Sequence, residues 1–379
     1  MIKVGITGQT GFIGTHLYNT LNLDKENFET ILFDDRFFSE TILLEEWVSK
    51  CDVIIHLAAL NRHNDPDVIY NTNISLVKQL IAALENTNTT PHVLFSSSTQ
   101  EANDNLYGKS KKEGRRLLTE WATKNNTQFT GLIIPNVFGP FGNPYYNSVV
   151  ATFCHQLTHN QIPKIEVDGD LKLIYIGELV HQIIDHILLI QKNYCNEVLI
   201  EQVPLQPTAE LKVSNLLRIL QEYKNLYFEN GVMPAINTSF ERNLFNTFLC
   251  YINHATFFPF KLKMNTDQRG SFVETIKLNS GGQVSFSTTV AGITRGNHFH
   301  TRKAERFAVI KGKALIELRK VGTDEILSFE LTGEHPSFVD MPIWFTHNIK
   351  NIGSDELYTI FWINEFFDQN DPDTFFEKV

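Results

Sequence analysis

Near residue 257 the chain changes its hydrophobic rhythm, and that change limits the folds open to it. Before it, short apolar runs alternate with segments of three-to-four spacing. IKVGIT (2–7), ETILFDD, CDVIIHLAAL (51–60), VLFSSSTQ (93–100) and GLIIPNVFGPFG (131–142) read as strands. FIGTHLYNTL, YNTNISLVKQLIAAL and YGKSKKEGRRLLTEWA read as the helices between them. Strands alternating with helices imply a parallel, doubly wound α/β sheet. Residues 200–250 read as helical, with SNLLRILQEYKNLYF carrying the spacing. After 257 the runs SFVETIKL, GQVSFSTTV, RFAVIKG, KALIELRK, EILSFEL and LYTIFWI alternate with turns, which fits an all-β sandwich or barrel. The expected division is therefore residues 1–250 and 251–379, and 379 residues suffice for two such domains.

Composition narrows the function classes. A net charge of −10 argues against a broad nucleic-acid footprint. No apolar run approaches the roughly 20 residues that cross a bilayer. Cys51, Cys154, Cys195 and Cys250 are dispersed, so neither a zinc knuckle nor a disulfide framework is indicated, and buried thiols in a reducing compartment are expected. The start MIKVGITG runs straight into a strand without a secretory leader, and a cytoplasmic setting is expected.

Gly8, Gly11 and Gly14 follow the first strand and open a helix. A strand, glycine-rich turn and helix start form a dinucleotide cradle, because the backbone can approach a pyrophosphate and the helix N-terminus offers N–H donors. Asp34 falls 20 residues after Gly14, where an acid binds a ribose 2′-OH. Arg36 could instead pair with a 2′-phosphate, so these residues leave NAD against NADP open. Tyr107 and Lys111 are spaced i and i+4 on a helix and share a face. An ammonium beside a phenol is expected to lower its pKa, and such a phenol can give a proton to a carbonyl oxygen as a hydride arrives at carbon. The Ser98 hydroxyl would hold the same oxygen.

TGQTGFIG, DVIIHLAA (52–59), NISLVKQL from Asn73, SSS (96–98), YGKSK (107–111) and PNVFGP (135–140) together resemble the extended short-chain dehydrogenase/reductase family over about residues 1–245. The resemblance implies a Ser98, Tyr107 and Lys111 triad, with Ser97 as fallback. It implies Asn73 supporting the proton relay and Asn136 contacting a substrate diphosphate. It also places Gly8, Gly11, Phe12, Ile13, Gly14, Leu57, Ala58, Ala59 and Lys111 along the cofactor. Two departures stand out: only eight residues separate Ser98 from Tyr107, and the arginine often found before NVFGP is missing.

In the C-terminal third, His298 and His300 are spaced to face the same way on a strand. Glu305 could join them from an adjoining strand and His347 from a distant one. Three imidazoles and a carboxylate suit a divalent transition metal with open positions left for substrate. The spacing from Gly292 to Gly312 resembles the first cupin motif, and Pro342 to His347 with Asn351 resembles the second, with Trp344 where glycine is usual. DQRGSFVE (267–274) and TRGNH (294–298) also resemble segments of the deoxysugar-nucleotide 3,5-epimerases. That resemblance carries substrate binding to Arg269 and Glu274 and a base role to His298. A metal-bound imidazole has its lone pair occupied, so His298 is read as a ligand and the base stays unassigned.

The order of all these motifs resembles the bifunctional capsule-sugar enzymes of UDP-N-acetyl-L-fucosamine synthesis. The resemblance implies a UDP-2-acetamido-2,6-dideoxy-4-hexulose substrate, C3 epimerisation in the cupin, and C4 reduction with NADPH to a UDP-2-acetamido-2,6-dideoxy-L-talose. It implies zinc in the cupin and a homodimer. The alternative is a single-activity 4-keto-sugar reductase whose cupin is structural or dimerising.

Overall fold

The computed structural model describes residues 1–192 and 199–379, and Cys195 lies outside the described residues. Its first elements are β1 (Ile2–Thr7), α1 (Phe12–Leu21), β2 (Phe28–Ile31), α2 (Thr41–Val48), β3 (Val53–His56), α3 (Pro66–Thr87), β4 (His92–Ser98) and α4 (Leu106–Asn125). Then come β5 (Phe129–Ile134), β6 (Asn136–Phe138), α5 (Val149–Thr158), β7 (Asp170–Tyr175), α6 (Ile176–Lys192), β8 (Ile200–Pro204), β9 (Ala209–Lys212), α7 (Val213–Tyr223), α8 (Ser239–Leu249) and α9 (His254–Phe257). The remainder is β10 (Phe260–Lys261), β11 (Met264–Asp267), β12 (Gly270–Val273), β13 (Gln283–Thr289), β14 (Thr294–Phe299), β15 (Glu305–Lys311), β16 (Lys313–Lys320), β17 (Ile326–Thr332), β18 (Ser337–Met341), β19 (Phe345–Asn351), β20 (Leu357–Ile363) and β21 (Phe375–Phe376).

Packing divides the chain into two compact units, residues 1–149 with 169–212 and residues 150–168 with 213–379. In the first unit a six-stranded sheet has the order β2-β1-β3-β4-β5-β8 with all pairs parallel. This is the expected doubly wound Rossmann-type sheet. β3 is buried along its whole length, as a strand covered on both faces must be. The order reverses beside β1: β2 lies on one side and β3 on the other. Ligands of such sheets bind outside the C-terminal strand ends at that switch point. The run expected as one strand at 131–142 is two. Pro135 interrupts it, since proline cannot donate to a ladder, and β6 pairs in a separate small sheet with β7 and β9.

Helix starts in this unit differ in one respect. Asp65 caps α3 ahead of Pro66, and the Asn105 side chain accepts from the Gly108 N–H at 2.7 Å to cap α4. α1 and α2 have no side-chain cap, and at α1 the N-cap is Gly11, which leaves the first N–H groups beside the glycine turn open to a ligand.

The helical expectation for 200–250 holds only in part. Residues 200–204 extend the main sheet as β8 and 209–212 form β9. Pairing with β5 and β7 overrides the local pattern there. α7, α8 and residues 150–168 pack in the second unit, so a boundary at 250 separates motifs and not packing units. For α7 and α8 the reason lies in aromatic side chains on them and on the helical turn that follows α7. Tyr223 and Tyr227 meet the Phe245 ring edge-on, and Tyr227 donates to the Asp340 carboxylate at 2.6 Å.

Two antiparallel five-stranded sheets, β10-β18-β15-β20-β13 and β17-β16-β19-β14-β21, make the second unit's jelly roll, the expected cupin. Its core includes Phe338, Ile316, Leu318 and Trp362, all wholly buried. Arg306 is buried with them. It donates to Asp340 at 2.7 and 2.8 Å and to the Gly231 carbonyl at 2.6 Å, so the charge is fully paired. Among the described residues no helix is long and apolar enough to cross a membrane.

Candidate functional site

Two constellations emerge, one in each unit. In the first, β1 ends in Thr7 and β3 ends in His56, and these ends are laced together. The Thr7 hydroxyl lies 2.7 Å from His56 Nδ1 and accepts from the Ala58 N–H at 3.2 Å. This lacing holds the Leu57–Ala59 segment against the glycine turn: a Cβ on Gly8 would lie 3.0 Å from the Ala58 backbone. At Gly14 a Cβ would lie 2.2 Å from the Gly8 carbonyl, so the turn closes onto α1 only with glycine there. Gly8, Gly11, Phe12, Ile13, Gly14 and Leu57 to Ala59 thus meet at the sheet's switch point, next to the uncapped start of α1.

Asp34 and Arg36 are paired to each other at 2.7 Å on the surface. The Arg36 side chain and backbone N–H hold the Asp34 carboxyl down at about 2. Each of the two groups that a ribose 2′ substituent could meet is thus engaged by the other.

Strand alternation separates the serines of β4. Ser97 is buried and gives its hydroxyl to Glu101, which Arg115 also holds at 2.7 Å. Ser96 and Ser98 share the opposite face. Lys111 Nζ donates to the Ser96 carbonyl at 2.8 Å and to its hydroxyl at 3.4 Å, and the hydroxyl contact puts the ammonium on the face that Ser98 shares. The Ser98 hydroxyl accepts from the Gln100 N–H at 3.2 Å, and so caps the short turn that replaces the missing loop before Tyr107.

Burial pushes the Lys111 ammonium down to about 7. Lys111 Nζ lies 5.8 Å from the Tyr107 ring centre. The expected lowering of the phenol does not appear. Burial, with Tyr146 nearby, pushes the Tyr107 hydroxyl up to about 12. Desolvation penalises phenolate, and Lys111 spends its hydrogen bonds on Ser96. Tyr107 is therefore a protonated donor across the neutral range. Burial and Lys111 push His56 down to about 3, so it is neutral. Asn73 is buried and fully engaged. Its carbonyl oxygen accepts from the Leu60 N–H at 2.7 Å, and its amide donates to Ser110, one turn from Tyr107. Asn136 is exposed at the start of β6. Thr7, His56 and Ser96 were not singled out in the sequence; a threonine ending the first strand and the H of HLAA were the available signals.

In the second unit, His298, His300, Glu305 and His347 converge, with one donor atom from each lying within 4.8 Å of the others. His298 sits on β14 directly across from His347 on β19, while Glu305 opens β15 on the other sheet. His300 follows the end of β14. A β-bulge at Gly296, with φ +100°, turns His298 into the cluster, and a Cβ there would lie 2.8 Å from the His347 carbonyl. Trp344 occupies a left-handed conformation at φ +62°, the conformation that makes glycine usual at this place. It costs about 1–2 kcal/mol. Its N–H donates to the His300 carbonyl at 2.8 Å and its ring stacks on Phe299.

Nδ1 of His300 donates to the Asp373 carbonyl, and Nδ1 of His347 donates to the Phe345 carbonyl at 3.2 Å. Those bonds fix the tautomers and leave both Nε2 lone pairs facing inward. The two Nε2 atoms lie 3.3 and 3.0 Å from one Glu305 oxygen, and none of the three has a partner outside the cluster. Burial pushes His300 down, but the Glu305 carboxylate more than offsets it and the net shift is upward. Burial raises Glu305, and its histidine neighbours outweigh that and lower it. Burial, His347 and His300 hold His298 at about 4. Buried, convergent and unpartnered donor atoms of this type fit a divalent cation. Arg269 and Glu274 are not gathered with the cluster. Arg269 pairs with Asp267 at the exposed tip of the β11–β12 hairpin, and Glu274 pairs with Lys277.

Comparison with known proteins gives the same two-part division. Residues 4–184 match the NAD dependent epimerase/dehydratase family, and residues 265–375 match the polysaccharide biosynthesis C-terminal domain. The chain is 31% identical over 377 residues to the UDP-2-acetamido-2,6-beta-L-arabino-hexul-4-ose reductase of Pseudomonas aeruginosa, covering 99% of this chain and 98% of that one. The capsular polysaccharide assembling protein CapF of Staphylococcus aureus is 34% identical, with a TM-score of 0.62 and all of both chains covered. The UDP-glucose 4-epimerase of Thermotoga maritima, 18% identical with a TM-score of 0.54 over 66% of this chain and 98% of that one, shares the fold.

Proposed function

The chain belongs to the CapF-type family of capsular polysaccharide enzymes, and from that premise we propose that it acts twice on one nucleotide sugar. The substrate is a UDP-2-acetamido-2,6-dideoxy-4-hexulose. The cupin inverts C3, and the Rossmann-type domain then reduces the C4 ketone with NADPH to a UDP-2-acetamido-2,6-dideoxy-L-talose. The order follows from acidity: the C3 proton is labile only while C4 is a ketone. The observation that carries the reading is the convergence of His298, His300, Glu305 and His347, with three buried unpartnered donor atoms, on a chain that also holds the glycine cradle.

When bound, NADPH supplies a hydride for C4 and a divalent ion, zinc in this reading, supplies positive charge for an enolate oxygen. The residues do the rest. Tyr107, kept protonated by burial, gives its proton to the C4 oxygen as that oxygen becomes an alcohol. The Ser98 hydroxyl steadies the same oxygen, and Lys111 holds the end of β4 through Ser96. Arg36 takes the 2′-phosphate of the cofactor. Asn73 fixes the loop after β3 to α4, and Asn136 is placed for the substrate diphosphate. His298, the most solvent-accessible of the four, is a ligand in this scheme. The protein works as a cytoplasmic homodimer with no nucleic-acid or membrane partner.

A second reading has an observation in its favour. Arg269 and Glu274, the residues expected to bind sugar in the cupin, pair with hairpin neighbours instead. A cupin that only stabilises or dimerises a single-activity reductase would leave them so. Incubation of the full chain with the 4-keto sugar in deuterated water, without NADPH, separates the two. Deuterium entering C3 in the wild type but not in His347→Ala is the bifunctional outcome. No deuterium at C3 in the wild type leaves the single-activity reductase.

A further inference from the structure

The last residues of the chain return to the histidine cluster from more than seventy positions away. Asp373 is 5% exposed, and its backbone is left-handed at φ +42°. One carboxylate oxygen accepts the Thr301 N–H at 3.1 Å and the Thr301 hydroxyl at 2.6 Å. The other accepts the N–H groups of Arg302 and Lys303, both at 3.0 Å. Its carbonyl accepts the Nδ1–H of His300. A single residue thus occupies four donors of the turn that follows His300 and also fixes that imidazole's tautomer.

The segment around Asp373 adds to this. The buried Lys303 ammonium donates to the Pro372 carbonyl at 3.0 Å. β21 pairs with β14 at the candidate ligand itself, His298 opposite Phe376 and Phe299 opposite Phe375, and the Phe299 and Phe375 rings stack. The Glu377 N–H donates to the Asn297 carbonyl at 3.1 Å, at the bulge that aims His298.

We infer that residues 372–379 form a strap belonging to the metal site, with Asp373 the positioning residue that holds His300 in its binding orientation. The inference rests on the metal reading of the cluster. A carboxylate satisfied by four donors on one short turn does little for the β-sandwich at large, since that turn packs no core side chain of its own beyond Lys303 and Ala304. What it fixes is the direction in which the His300 ring leaves the backbone. Outer partners of this kind typically account for 10–100-fold in metal affinity.

The test is zinc affinity of the full-length chain by competition with a chromophoric chelator, with zinc content by elemental analysis and folding by circular dichroism melts. Asp373→Ala, which removes all four acceptor bonds of the carboxylate, is expected to bind zinc about 10–100-fold more weakly. Thr301→Val removes one bond and should fall between Asp373→Ala and the wild type. Asp371→Ala, just before the strap and bonded to the half-buried Arg302 side chain, should match the wild type. If Asp373→Ala fails to melt cooperatively, Thr301→Val decides alone. Equal affinity in Thr301→Val, Asp373→Ala and the wild type, or an Asp371→Ala loss as large as that of Asp373→Ala, overturns the strap and leaves the metal site standing. A wild type that holds no zinc overturns both.

Discussion

Residues 7–14 make their turn in one continuous stretch of strand end, loop and helix start, whereas the four candidate ligands come from two sheets and three stretches of chain between 298 and 347. The cradle offers backbone N–H groups and an absence of side chains. The cluster offers side-chain atoms that are buried without partners. A site of the first kind depends on its immediate neighbours in the chain. A site of the second kind depends on register between strands, and so on residues as remote as Asp373. The two units are also tuned in opposite senses. Burial in the first makes Lys111 a weak base and keeps Tyr107 protonated. In the second, a carboxylate amid imidazoles is held ionised.

If the two sites are chemically independent, they should fail separately. Tyr107→Phe removes the proton donor and should lower NADPH-dependent reduction by about 10²–10⁴-fold. Deuterium incorporation at C3 should persist, read by NMR on the same sample. Loss of both activities together would break the comparison. A smaller effect is expected at the cofactor. Arg36→Ala should weaken NADPH by about 10–100-fold while NADH changes little, since a charge-assisted bond is worth roughly 1.5–3 kcal/mol. Fluorescence titration of both nucleotides measures it, and equal losses would remove the 2′-phosphate contact.

The smallest effect concerns stability. Lys111 titrates at about 7 in the fold against roughly 10.4 when exposed. Between those values the unfolded chain binds more protons, so the folded state gains stability as pH rises through that window. Lys111→Met should therefore melt a few degrees higher than the wild type at pH 7, with the difference shrinking toward pH 10, even as reduction slows. A difference that stays constant with pH would mean the ammonium is not penalised by burial.

Much of this was legible in the chain itself. The glycine spacing after an apolar strand and the HxH spacing each act over a few residues, where backbone geometry is set by chain neighbours. Other features were not. The sequence suggested that Lys111 would lower the Tyr107 pKa, because i and i+4 spacing says nothing of how deeply a helix face is buried. The β8 and β9 segments read as helix because their pairing partners lie far along the chain. The tail gave no sign of its role, since Asp373 is one of three aspartates in DQNDPD (368–373) and has no periodicity to read.

The sequence by itself determined which atoms could bind a nucleotide and a metal, and in what order the two chemistries follow along the chain. Only the tertiary structure decided that Ser98 rather than Ser97 shares a face with Ser96 and its bound Lys111, that His300 and His347 turn Nε2 inward, and that residues 150–168 pack in the second unit. The physical reason is range. Turns, caps and side-chain identity are local, but desolvation and imidazole orientation are set by contacts such as the one spanning 73 residues between His300 and Asp373, which exist only once the sheets have closed.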